Sequence, residues 1–170
     1  RVVGHAALKA TINATGLADQ ADTLRLAAGD RQSGIVGAAL AESLVVLVTD
    51  RFGNPIPGQT VTWAVPAGQG SVTDAATVSG ADGRAAVGRS LGPSAGTQTA
   101  TATAAGLKGS PVSFTSTATA GGAVLVVKVS GDLQSAPAGF QLTDSLVVQV
   151  QDVNGNGVSG RNVNWVTAPG

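Results

Sequence analysis

The chain has 170 residues, ten basic and ten acidic, for a formal net charge of zero. Only 12% of the residues are charged and there is no cysteine, which excludes a disulfide framework, a thiolate metal site and a cysteine nucleophile, and leaves no basic patch to hold nucleic acid. Hydrophobic residues make up 43% and aromatic ones 3%, a Val/Ala/Thr/Gly composition that suits pleated sheet with glycine in the turns.

At the start of the chain Leu8, Ala10, Ile12 and Ala14 alternate with Lys9, Thr11, Asn13 and Thr15, the two-residue period of a half-buried strand. Thr23 to Ala28 is a predicted strand ended by Gly29-Asp30, and the polar passage Arg31 to Glu42 leads to a stronger one over Ser43–Thr49. A dense turn signal follows from Asp50 to Gly58. Val61, Trp63 and Val65 then alternate on a strand whose outward face is Thr60, Thr62 and Ala64. A buried Trp there, its indole N–H needing one acceptor, is the natural centre of a two-sheet core. Shorter strands are predicted over Ser71–Thr73, Ala76–Ser79, Arg84–Ser90, Thr97–Ala105 and Pro111–Thr119. Seven or eight strands at this spacing mean a sandwich or barrel, without helix. The longest apolar runs, Leu44 to Val48 and Ala123 to Val127, are far short of the roughly 20 residues of a membrane helix.

The passage Ser43 to Trp63 returns at Ser145 to Trp165, about 100 residues later. Leu44, Val46 and Val48 recur as Leu146, Val148 and Val150, while Leu47 and Thr49 become Gln149 and Gln151. The recurring set is expected to face the core and the variable set to face outward. The expected organisation is residues 1–20 as the C-terminal strand of a preceding repeat, 21–121 as a complete repeat, and 122–170 as the N-terminal half of a following one, the whole a window on a longer chain. Half a sandwich buries little surface, so the missing strands are expected from the parent chain or from a partner. In the first strand Leu24 and Leu26 align with Val126 and Lys128, which cannot share one inward face, so a bulge is a candidate there.

Four passages carry a family resemblance: GDxQSG at Gly29–Gly34, DxxGNPxxGxxVxW at Asp50–Trp63, DGRA at Asp82–Ala85, and AGTQTATATAAGLKGSPVSF from Ala95 to Phe114. Together they resemble the bacterial immunoglobulin-like domain, group 1, the repeat of invasin- and intimin-type adhesins. The resemblance implies an all-β fold of immunoglobulin-like sandwich repeats in tandem, a spacer or display role outside the cytoplasm, and no shared catalytic residues. The later copy departs from the pattern at Gly157, where the first has Pro55.

The candidate sites are few. Asp50 and Asp152 recur in the turn and read as turn caps, since no second carboxylate sits at ligand spacing. Asp19 and Asp22 lie at the first junction, where a cation could stiffen a linker, but the second junction, Ala120-Gly121-Gly122-Ala123, has no acid. His5 has no nucleophile or acid partner to make it catalytic. No catalytic, cofactor-binding or metal-binding residue is therefore assigned. Arg51, Phe52 and Phe140 are the candidate partner contacts, because they are loop-tip positions at which the copies differ. The Thr97–Ala105 strand is a docking candidate only if it lies at a sheet edge. The expected partners are neighbouring repeats and other proteins met through loop tips or strand edges, with no nucleic acid and no membrane insertion within this window. Two functions follow: a spacer or adhesion-type segment of a cell-envelope or secreted protein, or a periplasmic accessory subunit of a larger membrane complex, for instance an energy-transducing one.

Overall fold

The computed structural model describes Ile12 and residues 16–166, and no helix occurs among them. Apart from Ile12, the strand pattern over Leu8–Ala14 and the lone His5 lie outside the described residues.

The complete unit is built from two antiparallel sheets that share one core. The first holds β1 (Thr23–Ala28), β3 (Leu44–Thr49) and β7 (Arg84–Val87), in the order β1-β3-β7. The second has the order β2-β10-β9-β4-β6, from β2 (Gln32–Ile35), β4 (Thr60–Ala64), β6 (Ala76–Val78), β9 (Gly96–Thr103) and β10 (Val112–Thr119). Its edge strand β2 pairs parallel with β10. A two-stranded ribbon joins β5 (Gly70–Val72) to β8 (Arg89–Leu91).

Alternation decides the core. Leu44, Val46 and Val48 are fully buried, as their recurrence predicts, and so are Val61 and Phe114. Trp63 packs on Phe114 with ring centroids 6.0 Å apart and planes tilted by 42°, a geometry worth roughly 0.5–1.5 kcal/mol beyond burial. The acceptor its indole needs is Thr77 Oγ1, at 2.8 Å. Thr77→Val should therefore leave a buried N–H unpaired and lower stability by roughly 1–2 kcal/mol, measurable by urea unfolding.

Several expectations need correction. Thr49, read as outward-facing, is buried, because the following turn folds back over it through the Thr49–Pro55 bridge and its carbonyl accepts the Asp22 amide at 2.9 Å. The single strand read over Arg84–Ser90 breaks at Gly88, where β8 leaves the sheet to pair with β5. The polar passage read as a connection contains β2, held by its parallel pairing to β10. The Thr97–Ala105 strand, β9, lies between β10 and β4 and offers no edge. The disagreement in the first strand resolves into a register shift between Leu26 and Ala28, which leaves Leu24 buried and Leu26 exposed.

After the complete unit, β11 (Leu125–Ser130) and β12 (Val147–Gln151) form a two-stranded antiparallel sheet. Its register matches that of β1 and β3 position for position, including the shift, here between Lys128 and Ser130. Side-chain wiring recurs as well. Gln32 Nε2 donates to the Gly29 and Glu42 carbonyls while its Oε1 accepts the Glu42 amide, and Gln134 does the same with Gly131 and Asp144. Gly29 and Gly131 have φ of 85° and 83°, and a Cβ on either would run into the carbonyl of Ser43 or Ser145. Trp165, the counterpart of the buried Trp63, is 57% exposed. No strand forms over residues 161–166, because among the described residues nothing plays the part that β9 and β6 play beside β4.

Candidate functional site

The chemistry concentrates at the turn after β3 and at its counterpart after β12. Asp50 is buried at 2% exposure. Its Oδ1 accepts the Phe52 and Asn54 amides at 2.9 and 2.8 Å, and its Oδ2 accepts Asn54 Nδ2 at 2.8 Å. A fourth donor comes from outside the turn: the Asp19 amide, on the segment entering the unit, reaches Oδ2 at 3.0 Å. Asp152 repeats the arrangement, with the Asn154 and Asn156 amides and Asn156 Nδ2 all at 2.9 Å. Its outside donor is the Gly121 amide, at 2.8 Å. Each aspartate is thus a turn cap, as expected, and also a tether that fastens the turn to the incoming chain.

Burial alone would raise both carboxyl pKa values, but the converging N–H donors, Asn54 or Asn156 foremost, outweigh it and hold each at about 2. Because the folded-state value lies below the ordinary 3.8, the stabilisation is complete above that pH and declines as pH falls towards 2. The Gly121 amide resonance should therefore hold its position down to about pH 3.5 and titrate with a midpoint near 2. A midpoint near 4 in a pH series of heteronuclear spectra would contradict the tether.

The second turn also reaches back into the complete unit. Asn156 Nδ2 donates to the Pro93 carbonyl and its Oδ1 accepts the Ala95 amide, both at 2.8 Å. Pro93 and Ala95 belong to the loop between β8 and β9, and that loop is shaped from inside. The buried Gln98 accepts the Gly92 amide at 2.8 Å and donates to the Ser94 carbonyl at 2.7 Å. Gln98 holds the loop, the loop offers one acceptor and one donor, and a single carboxamide takes both. Sequence reasoning missed this role of Asn156, since Gly-Asn reads simply as a turn. The available signal was that Asn recurs at a position whose neighbours Arg51, Phe52 and Pro55 all change.

The other candidates separate. Arg51 Nη2 pairs with Asp19 Oδ2 at 3.1 Å and its guanidinium lies 4.6 Å from the Phe52 ring centroid. These two residues therefore meet at the first junction, where the second has Val153, Asn154 and Gly121. Both partners of that ion pair are substantially exposed, so it contributes at most about 1 kcal/mol and weakens with salt. Phe52 is 71% exposed and does not fold over the end of the sandwich. Phe140 is equally exposed but sits apart from both, in the loop after Pro137, where its amide donates to the Pro137 carbonyl. Asp22 is held by Lys108 at 3.0 Å, and no group of three or more His, Cys, Asp or Glu is placed to hold a metal among the described residues. No helix among them is long and apolar enough to cross a membrane.

Residues 37–117 match the family model of the bacterial Ig-like domain, group 1. That stretch, just under half of the chain, is similar to a bacterial Ig-like domain of group 1. The matched segment includes the Asp50 turn, the loop at Pro93 and the buried Gln98. No curated protein is significantly similar in sequence to the chain. Among solved structures it is similar to FdeC, described as a broadly conserved Escherichia coli adhesin, at 17% identity and a TM-score of 0.50, over 84% of this chain and 45% of that one. It is also similar to domains 4 and 5 of the S-layer protein SbsC, at 16% identity and a TM-score of 0.44, over 59% of this chain and 53% of that one. The chain spans about half the length of these two structures.

Proposed function

We propose that this Ig-like chain is a non-catalytic structural or adhesion-type segment of a longer cell-envelope or secreted bacterial protein, with Ig-like repeats in tandem. The observation that carries this reading is the joint. The same aspartate, in the same turn, tethers the chain entering each unit, and at the second junction Asn156 also grips the preceding loop. Such a joint fixes how one unit follows the next, which a spacer requires and an isolated binding module does not. On this reading residues 1–20 end a preceding repeat and residues 122–170 begin a following one. The open grooves beside β12, of 390 and 330 Å³, and the exposed Leu146 and Trp165 support this reading, since further strands of that repeat would cover them. Arg51 and Phe52 then serve the first junction, and Phe140 remains a candidate contact for another protein.

The test is protease shaving of intact cells of the source bacterium, followed by gentle solubilisation and gradient separation of what stays behind, with peptides identified by mass spectrometry. Release of peptides from this segment before the envelope is broken is the expected result. Retention in the membrane fraction, co-migrating in fixed stoichiometry with a membrane complex, would overturn it in favour of a periplasmic accessory subunit.

A further inference from the structure

We propose that the cleft beside Asn54 seats the β8–β9-type loop of a preceding Ig-like domain, so that Asn54 clamps that neighbour through one carbonyl and one amide. The inference rests on the tandem reading above and names the partner surface of the complete unit's own turn.

Three observations carry it. The Asn54 turn is wired as the Asn156 turn is, bond for bond: two amides and one carboxamide onto the aspartate, plus the incoming chain. A carboxamide held in the same way by its Nδ2 presents the same remaining atoms. Secondly, burial differs where it should. Asn156, under the Pro93–Ala95 loop, is half-buried, while Asn54 is exposed, and among the described residues its Oδ1 accepts no bond. Thirdly, a cleft of about 330 Å³ opens beside it, lined by Gly16, Leu17, Ala18, Asn54 and Pro55. These are small or apolar groups around one carboxamide, and they suit a loop of the Gly92-Pro93-Ser94-Ala95 kind, which brings little bulk and no charge. A unit that offers the loop on one side and takes it on another makes a heterologous contact, the kind that propagates along an array without closing.

The experiment joins two complete units in one polypeptide, with Asp19 of the second directly following Ala120 of the first, which preserves the natural spacing. The unit encloses its own core of Leu24, Val46, Trp63 and Phe114, so each copy folds by itself. In heteronuclear spectra the two Ala95 amides should give two peaks: one at the position seen in a single unit, and one shifted, with hydrogen exchange slowed about 10-fold or more. Asn54→Ala in the second copy should collapse them to one position. Ala95→Pro in the first copy, which removes the donor and leaves the Asn54 turn intact, should return the Asn54 carboxamide resonances to their single-unit positions. Coincident Ala95 peaks in the unsubstituted tandem would overturn the clamp. So would concentration-dependent shifts in the single unit, which would assign the cleft to a second copy in trans. Either result leaves the shaving outcome, and with it the structural reading, untouched.

Discussion

Phe114→Ala should lower the unfolding free energy of the complete unit by about 3–5 kcal/mol. Phe114 is fully buried on β10 and is one of only three phenylalanines in the chain. Opposite it on β9 lies Ala100, and Ala102 is the next inward position, side chains too short to move into the space a lost ring leaves. The cavity therefore stays open, and the cost lies towards the upper end of what phenylalanine truncation causes. Trp63 also loses its aromatic neighbour. Unfolding followed by Trp63 fluorescence, in a Trp165→Phe background to remove the exposed reporter, gives the number. A loss below about 1 kcal/mol would mean that the two sheets do not meet over this ring.

The second large effect runs the other way: Arg89→Met should stabilise the unit by about 1–4 kcal/mol. Arg89 sits on β8 at 2% exposure, and among the described residues only its Nη2 finds a partner, the Gln69 carbonyl at 3.1 Å. Nε and Nη1 have none among the described residues, and burial pushes the guanidinium pKa down. A charge removed from water with one bond in return is a net cost, and methionine fills similar space without it. Destabilisation by Arg89→Met in denaturant unfolding would show that Nε and Nη1 are satisfied inside the sandwich by water or an anion.

The fold was legible where local pattern and burial coincide. Leu44, Val46, Val48, Val61 and Trp63 announce their faces by alternation, and the copy at Leu146–Val150 separates inward from outward without any structure. It failed where a distant contact decides. β2 is a short polar stretch, Gln-Ser-Gly-Ile, and is a strand only because β10 lies alongside it. Thr49 looks solvent-facing until the turn closes over it. Trp165 shows the reverse: its sequence carries the core pattern, but a pattern buries nothing until the strands that cover it are present. The site was half legible. Asp50 and Asp152 stood out as turn caps, yet their bonds to Asp19 and Gly121 span 31 residues, and those of Asn156 to Pro93 and Ala95 span 63 and 61. Spacing of that kind leaves no trace in a single sequence.

The fixed joint is tested most directly by the distance distribution across it. The chain has no cysteine, so Ser113→Cys on β10 and Lys128→Cys on β11 place one nitroxide on each side of the second junction for pulsed electron spin resonance. A single narrow distribution is expected, broadening markedly when Asp152→Ala and Asn156→Ala release the tether and the clamp. A distribution already broad in the otherwise unsubstituted chain, or equally narrow after both substitutions, would contradict a joint held by these two side chains.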